Sequence, residues 1–235
     1  METIVFGSSS AGNGYLIKDG GHSLLLEAGI SPKKITVDYK QVDGLLITHE
    51  HADHGKFAHD FIKRGAMDIY CSKGTAKALD LPKHRVQTVK SKVPFHVGKW
   101  FVLPFDVQHD AKEPVGYLIQ TPSDKKVLFV TDTYYVKYQF KGVTHALVEC
   151  NYSFDRLNER FINQEIDPNR YRRLLKSHFE LENVEEFFKG LDKSRLEQIM
   201  LIHLSDANSD ANYFKQRIQA VTGVPVDIAP VKAVR

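Results

Sequence analysis

The sequence feature that most constrains this chain is a cluster of four potential metal ligands within six positions. It lies in Thr48-His49-Glu50-His51-Ala52-Asp53-His54, between a predicted apolar strand at residues 44–48 and a helical segment. Residues two apart in an extended chain point to the same side, so His49 and His51 can bind one ion while the turning chain presents Asp53 and His54 to another. A solvent-exposed polar turn rich in histidine is the alternative. Four potential ligands at this spacing favour two adjacent metal ions.

Three further potential ligands follow or end later apolar runs. His109 follows the strand predicted at 102–107, Asp132 follows the one at 127–131, and His203 lies within Leu201-Ile202-His203-Leu204-Ser205. Each position is one where a strand would deliver its last side chain to the edge of a sheet. The sequence therefore predicts seven metal ligands in total: His49, His51, Asp53, His54, His109, Asp132 and His203.

Runs of short strands, each followed by helices, occur twice along the chain. Strands are predicted at residues 3–6, 14–18, 23–27, 44–48, 69–71, 100–107, 115–120, 126–131, 144–149 and 198–204, and helices at 57–64, 75–79, within 154–190 and at 212–221. Two such runs predict an α+β fold in which two mixed β-sheets are flanked by helices, a four-layer αββα sandwich. The length of 235 residues predicts that residues 1–235 form a single domain.

Composition excludes some classes of protein and leaves others open. No segment approaches the roughly 20 apolar residues of a spanning helix, and no secretory signal is visible, so we expect a cytoplasmic protein with no membrane partner. Cys71 and Cys150 lie far apart without CxxC spacing, which predicts two buried thiols rather than a disulfide or a thiolate zinc site. The formal charge of +3 is compatible with a polyanionic substrate but does not indicate one.

The motif His49-Glu50-His51-Ala52-Asp53-His54, followed in order by His109, Asp132 and His203, resembles the metallo-β-lactamase fold superfamily over essentially the whole chain. The resemblance implies the αββα sandwich, with His49, His51 and His109 on a first metal, Asp53, His54 and His203 on a second, and Asp132 and a hydroxide bridging them. Imidazoles and carboxylates without thiolate predict two divalent ions, zinc or manganese. Glu27 stands where the superfamily usually has aspartate, and the resemblance implies that it holds a ligand histidine through the second ring nitrogen.

This ligand set predicts hydrolysis but leaves lactams, lactones, thioesters and phosphodiesters open as substrates. Asp132 argues against a lactamase, because lactamases of the superfamily commonly have cysteine at that ligand position. The segments Gly7–Gly14 and His203–Ser209 resemble the small exonuclease-like, WalJ-type branch, which is associated with DNA end processing. This resemblance implies substrate contacts by Ser9, Ser10, Ser205 and Asn208. The first segment could instead be a tight turn between two strands.

His178 is the candidate for a second catalytic role. Nuclease branches of the superfamily place a histidine in this region, and an imidazolium there could protonate the leaving oxygen. Alternatively, Ser177 and Glu180 form a helix capping box and His178 is an incidental surface residue. Basic residues before His178 and aromatic residues after Asp132 could bind phosphates and stack bases, or could form a solvated face: Arg170, Arg172, Arg173, Lys176, Tyr134, Tyr135, Lys137 and Tyr138.

The sequence therefore predicts a metal-dependent phosphodiesterase, and more specifically a DNA exonuclease in which the bridging hydroxide attacks phosphorus. The predicted catalytic residues are Asp53, Asp132 and His178, and the predicted substrate-binding residues include Arg172 and Arg173. Alternatives are an RNA-processing nuclease, a hydrolase of a small lactone, thioester or cyclic nucleotide, and a noncatalytic metal-dependent scaffold. The interval between Asp132 and His203 is too short for the large inserted domain of RNA-processing nucleases, which favours DNA as the nucleic-acid partner.

Overall fold

The computed structural model describes residues 1–65 and 67–231. Its strands are β1 (Glu2–Gly7), β2 (Gly14–Asp19), β3 (His22–Leu26), β4 (Val42–Leu46), β5 (Ile69–Ser72), β6 (Val86–Val89), β7 (Phe95–Val97), β8 (Trp100–Asp106), β9 (Val115–Gln120), β10 (Lys126–Val130), β11 (His145–Glu149), β12 (Gln198–Ile202) and β13 (Val226–Ile228). Its helices are α1 (Ala52–Gly55), α2 (Ala58–Gly65), α3 (Lys73–Ala78), α4 (Phe154–Ile162), α5 (Pro168–Ser177), α6 (Leu181–Gly190) and α7 (Ala211–Thr222).

The strands form two mixed sheets, of six and seven strands, so the predicted α+β class with two mixed sheets is confirmed. The Cα positions group the described residues into two compact units. The first unit contains residues 1–106 and 111–126 together with Pro230 and Val231, and the second contains residues 107–110 and 127–229. The assignment of residues 1–235 to a single domain stays a prediction.

The first unit is built on the six-stranded sheet, whose strand order is β1-β2-β3-β4-β5-β6. The pairs β1–β2 and β2–β3 are antiparallel, whereas β3–β4, β4–β5 and β5–β6 are parallel. Leu24, Leu25 and Leu26 of β3 and Leu45 and Leu46 of β4 are fully buried. Such unbroken apolar runs are typical of strands covered on both faces. Strand β4 leads directly into the histidine motif and α1.

The second unit is built on four parallel strands in the order β13-β12-β11-β10. Val130 pairs with Val148, and Glu149 pairs with Ile202, so β10, β11 and β12 end side by side. The carboxyl ends of neighbouring parallel strands meet at one edge of a sheet, which is where open sheets bind ligands. Asp132, Glu149 and His203 are delivered to that edge.

Most of the predicted strands and helices are present in the structure, and the strands that were not predicted are short. Strands β6, β7 and β13 span four, three and three residues and were not predicted. Alternation over three or four residues gives only a weak sequence signal, so these strands depend on their pairing partners. Cys71 and Cys150 are both buried, as predicted. Within residues 1–65 and 67–231, every helix is too short or too polar to cross a membrane.

Candidate metal centre

The histidine motif in the first unit forms a compact cluster of imidazoles. The ring centroids of His49 and His51 are 4.8 Å apart, and those of His49 and His54 are 4.2 Å apart. His51 is the residue before α1, so the first turn of that helix carries Asp53 and His54. Glu50, the remaining acidic residue, accepts a hydrogen bond from the Lys112 backbone N–H at 2.8 Å. The motif therefore presents its predicted ligands together, while Glu50 has a structural contact.

The Glu27 carboxylate positions two histidines of the motif, one directly and one through Thr48. The Thr48 hydroxyl donates to Glu27 Oε1 at 2.6 Å, and Thr48 Oγ1 lies 2.9 Å from His49 Nδ1. Because the hydroxyl hydrogen is already directed to the carboxylate, Oγ1 accepts from His49 Nδ1–H. Glu27 Oε1 also lies 3.5 Å from His54 Nδ1. Glu27 thus contacts His54 directly and reaches His49 through Thr48, a relay residue that the sequence analysis did not single out.

Asn13 and Gly29 fix the backbone of the motif. Asn13 N–H donates to the Asp53 carbonyl at 2.8 Å, and Gly29 N–H donates to the Asn13 carbonyl at 2.9 Å. The Asn13 amide nitrogen also lies 3.1 Å from His54 Nε2 and 3.4 Å from Asp53 Oδ2. A Cβ atom on Gly29 would lie 1.7 Å from the Asp53 carbonyl oxygen. Only glycine permits this approach between the β3 end and α1.

We expect Gly29→Ala to displace Asp53 and to lower the free energy of unfolding by at least about 3 kcal/mol, the upper end of overpacking costs. The new methyl group would overlap backbone atoms, which cannot rotate away as a flexible side chain can. Chemical denaturation measures the stability, and elemental analysis should show reduced bound metal. Gly190→Ala is the stability control, because a Cβ there would meet nothing within 4 Å. Equal stability of the two variants would contradict the close approach.

Asp132, His109 and His203 lie together in the second unit. Asp132 Oδ2 is 3.5 Å from His109 Nε2, and Asp132 Oδ1 is 3.3 Å from His203 Nδ1. The Thr131 hydroxyl donates to Asp132 Oδ1 at 2.8 Å. Asp132 and His203 have φ values of 48° and 54°, and Glu27 in the first unit has 66°. Left-handed backbone at three non-glycine residues beyond strand ends is unusual, and such backbone clusters at functional sites.

Glu149, at the end of β11, is the main residue of the site that the sequence analysis missed. It is fully buried, and Oε1 accepts from His178 Nδ1 at 2.6 Å and from His203 Nδ1 at 3.0 Å. Its Oε2 accepts from the backbone N–H groups of Thr133 and Phe179, both at 3.1 Å. Donor atoms of Asp132, Glu149, His178 and His203 all lie within 4.8 Å of one another. Glu149 therefore joins His178 to the predicted ligand His203 and lies close to Asp132.

The capping-box alternative for His178 is wrong. Ser177 is the last residue of α5, and its hydroxyl donates to Asp110 at 3.1 Å. Helix α6 is capped instead by the Glu180 carboxylate, which accepts from the backbone of Glu182 and Asn183. The His178 side chain is only 14% exposed, and its ring stacks on that of His203 at a centroid distance of 5.5 Å. His178 is thus part of the cluster rather than an incidental surface residue.

The electrostatic environment separates the roles of two histidines in the second unit. Burial lowers the pKa of His109 below its ordinary value, although the Asp132 carboxylate opposes that effect. A neutral imidazole is the form that binds a metal. Burial also opposes protonation of His178, but the charge and hydrogen bond of Glu149 outweigh it and raise the pKa of His178. Burial opposes ionisation of Glu149, but the charge of His178 and the hydrogen bonds from His178 and His203 outweigh it and lower the pKa of the carboxyl below its ordinary value.

In each unit, predicted ligand histidines have the Nδ1 atom anchored by a hydrogen-bond acceptor, as expected for residues that bind a divalent metal. His109 Nδ1 donates to the Ser177 carbonyl at 2.9 Å, His203 Nδ1 to Glu149, and His49 Nδ1 to Thr48. A ring nitrogen that donates to an acceptor fixes the tautomer and leaves the Nε2 lone pair for a metal, which is the usual arrangement of ligand histidines. Imidazole and carboxylate donors without thiolate suit zinc, manganese or iron. The donor chemistry therefore indicates divalent metal ions.

The predicted substrate-binding residues are placed differently from one another. Ser9 is buried in a tight turn, where its Oγ accepts from Ala11 N–H at 3.2 Å and its carbonyl from Gly12 N–H at 2.9 Å, whereas Ser10 is exposed. Asn208 is buried, and its amide contacts Ser205 Oγ at 3.0 Å and Arg160 at 2.7 Å. Arg173 pairs with Asp110 at 2.8 Å. Arg172 is exposed on α5. Substrate contact by these residues stays a prediction.

The chain matches a known protein family over most of its length. The family described as "Beta-lactamase superfamily domain" matches residues 19–204. The chain belongs to the β-lactamase superfamily. A solved structure with 17% sequence identity, the metallo-β-lactamase fold protein YhfI from Bacillus subtilis, superposes with a TM-score of 0.73 over 98% of this chain and 96% of that one. The predicted metallo-β-lactamase fold is therefore confirmed, and the chain is a metal-dependent hydrolase of this superfamily.

Two curated relatives are also similar to this member of the superfamily. The exodeoxyribonuclease WalJ of Streptococcus pneumoniae serotype 2 (strain D39 / NCTC 7466) is 29% identical over 95% of this chain and 90% of that protein. The exodeoxyribonuclease YycJ of Bacillus anthracis is 33% identical over 59% of this chain and 57% of that protein. The predicted resemblance to the WalJ-type branch is confirmed.

Proposed function

We propose that this protein is a metal-dependent exodeoxyribonuclease that uses two divalent ions, zinc or manganese. The similarity to WalJ over 95% of the chain supports a nuclease. The observation that carries the proposal is the placement of His178, whose Nδ1 is held by the buried Glu149 carboxylate at 2.6 Å while its ring stacks on His203. An alkoxide leaving from a phosphodiester needs a proton, and an anchored imidazole can donate one.

The proposed metal ligands are the seven residues inferred from the sequence. They are His49, His51, Asp53 and His54 in the first unit and His109, Asp132 and His203 in the second. Support comes from superfamily membership and from the anchored Nδ1 atoms of His49, His109 and His203. Glu27 is proposed to orient His54 directly and His49 through Thr48.

Divalent ions at these residues would supply positive charge beside the phosphate and acidify water. Asp132 and Asp53 would contribute the negative charge that offsets the positive charge of the ions these residues hold. His178 donates a proton from Nε2 to the leaving oxygen, because Glu149 occupies Nδ1. Exposed basic groups on α5, Arg170, Arg172 and Lys176, are suited to contact backbone phosphates of a bound strand. A cytoplasmic location stays part of the same proposal.

The test is hydrolysis by the purified protein supplied with zinc or manganese. Single-stranded and double-stranded DNA, RNA and a simple chromogenic phosphodiester are offered in parallel, together with a lactone and a thioester. We expect DNA to be shortened from its ends, with a rate that falls steeply as salt rises because phosphate contacts release counterions. A preference for RNA would replace the DNA assignment. Hydrolysis of only the lactone or thioester, insensitive to salt, would overturn the nuclease assignment altogether.

A further inference from the structure

A cavity of about 310 Å³ lies in the second unit, between residues 135–139 and the segment 179–191 that contains α6. Its aromatic lining consists of Tyr135 and Tyr138 on one side and Phe179 and Phe187 on the other. Tyr135 is exposed and Tyr138 is half-buried, so both rings are accessible to a ligand. The volume is at the small end of the range for ligand pockets, about 300–1,000 Å³. One planar ring system fits a space of this size.

Both sides of the cavity are attached to the residues proposed to act on the phosphate. Glu149 Oε2 accepts from the backbone of Thr133, two residues before Tyr135, and from the backbone of Phe179. Its other oxygen holds His178 and His203. The Thr133 hydroxyl also donates to the Tyr135 carbonyl at 2.8 Å. One buried carboxylate therefore fixes the position of the cavity relative to the proposed proton donor.

The lining matches the chemistry of a nucleobase better than that of a phosphate. Tyrosine rings offer π-faces on which any base can stack. Glu186 at the cavity is paired with Lys189 at 2.6 Å, and its carboxylate can also accept hydrogen bonds from amino groups on a base. Gln139 and Asn183 offer further donors and acceptors. Lys137 also lines the cavity, and its cation lies 5.2 Å from the Tyr138 ring centroid.

We propose that this cavity binds one nucleobase of the substrate strand, the base of the nucleotide next to the phosphate that is cut. The proposal rests on the nuclease function above and adds a subsite to it. Because Phe179 of the lining directly follows His178 in the chain and Glu149 contacts both residues, a base stacked in the cavity would bring that nucleotide to the proposed proton donor. The subsite tolerates different bases, because stacking depends on the π-face and not on one hydrogen-bond pattern.

The experiment compares Tyr135→Ala and Tyr138→Ala with the wild-type enzyme on two strands. One strand is ordinary single-stranded DNA, and the other carries abasic residues in place of its terminal nucleotides. For the wild type, we expect the abasic strand to lower kcat/KM by about 10-fold, the size typical of one base stacked on an aromatic ring. For either variant, kcat/KM on the ordinary strand should be lower than that of the wild type by a similar factor. The difference in kcat/KM between the ordinary and the abasic strand should disappear. Metal content should match that of the wild type.

Tyr213→Ala is the matched control, because Tyr213 is an exposed tyrosine that lines a different cavity of the second unit. This variant should retain the effect of the abasic residue. An abasic effect that persists in both Tyr135→Ala and Tyr138→Ala would overturn the subsite.

A second measurement separates this proposal from the proposed function. Fluorescence of a short strand containing 2-aminopurine is recorded with chelator-treated protein, which cannot cut it. Quenching that is lost in Tyr138→Ala supports the subsite even if no nucleic acid is hydrolysed. Quenching that is the same in the wild type and the variant contradicts the subsite even if DNA is hydrolysed.

Discussion

Replacing Asp132 with asparagine is expected to remove most of the bound metal and to lower turnover by more than about 100-fold. Loss of a residue that only hydrogen-bonds to a metal ligand typically costs about 10–100-fold, and loss of a ligand itself should cost more. The carboxylate lies between His109 and His203 and is buried, so asparagine removes a negative charge from among the predicted ligands. Asparagine keeps the shape and tolerates the left-handed backbone at φ 48°. Alanine would add backbone strain to the loss of charge.

Metal content is measured by elemental analysis, and thermal unfolding is followed with and without added zinc or manganese. Ligands that bind only the folded state raise its stability, so added metal should stabilise the wild type and leave Asp132→Asn almost unchanged. Asp124→Asn is the matched control, because Asp124 is an exposed aspartate that also has positive φ, 64°. If Asp132→Asn kept its metal and its metal-dependent stabilisation, Asp132 would not be a ligand.

The parts of the site that could be predicted from sequence are those encoded locally. His49, His51, Asp53 and His54 are consecutive enough that their spacing alone predicts a shared function. Asp132 and His203 were found because each follows an apolar run that is easily recognised as a strand. Local sequence was sufficient in these cases because the strand delivers the residue and the residue type gives the chemistry.

Glu149 could not be predicted by the same reasoning, although it also ends an apolar strand. A single glutamate at a strand end is ordinarily solvent-exposed, and no ligand motif surrounds it. Its role depends on the register that places Glu149 opposite Ile202 and on the return of the chain to His178, 29 residues later. Thr48 and Asn13 were missed for a similar reason, since their partners Glu27 and His54 lie 21 and 41 residues away.

Edge strands limited the prediction of the fold in the same way. Strand β6 is the last strand of its sheet and pairs with β5, and its central residues Gln87 and Thr88 are exposed, so its sequence carries little apolar signal. The central strands β3 and β4 contain the buried leucine runs 24–26 and 45–46 and were recognised. Burial therefore determines which strands can be predicted from the sequence. Buried strands must be apolar, whereas edge strands need only backbone pairing.

His178→Ala is expected to lower kcat on DNA by about 10²–10⁴-fold, the range for loss of a general acid, while bound metal is retained. The imidazole is not among the proposed ligands, so its removal should leave the metal content unchanged. On a phosphodiester with a very good leaving group, such as a nitrophenyl ester, the loss should be much smaller, because that group departs without a proton. An equal loss on both substrates would show that His178 does not act as the acid.

Glu149→Gln tests how His178 is held. Glutamine cannot accept hydrogen bonds at both oxygen positions, so Nδ1 of His178 or the backbone of Thr133 and Phe179 loses its acceptor. At saturating metal, kcat on DNA should fall by about 10–100-fold, as for other residues that orient a functional histidine. Because Glu149 acts on the proton through His178, Glu149→Gln should cost little more in a protein that already carries His178→Ala. Independent, multiplicative losses would mean that Glu149 acts mainly through His203 and the bound metal instead.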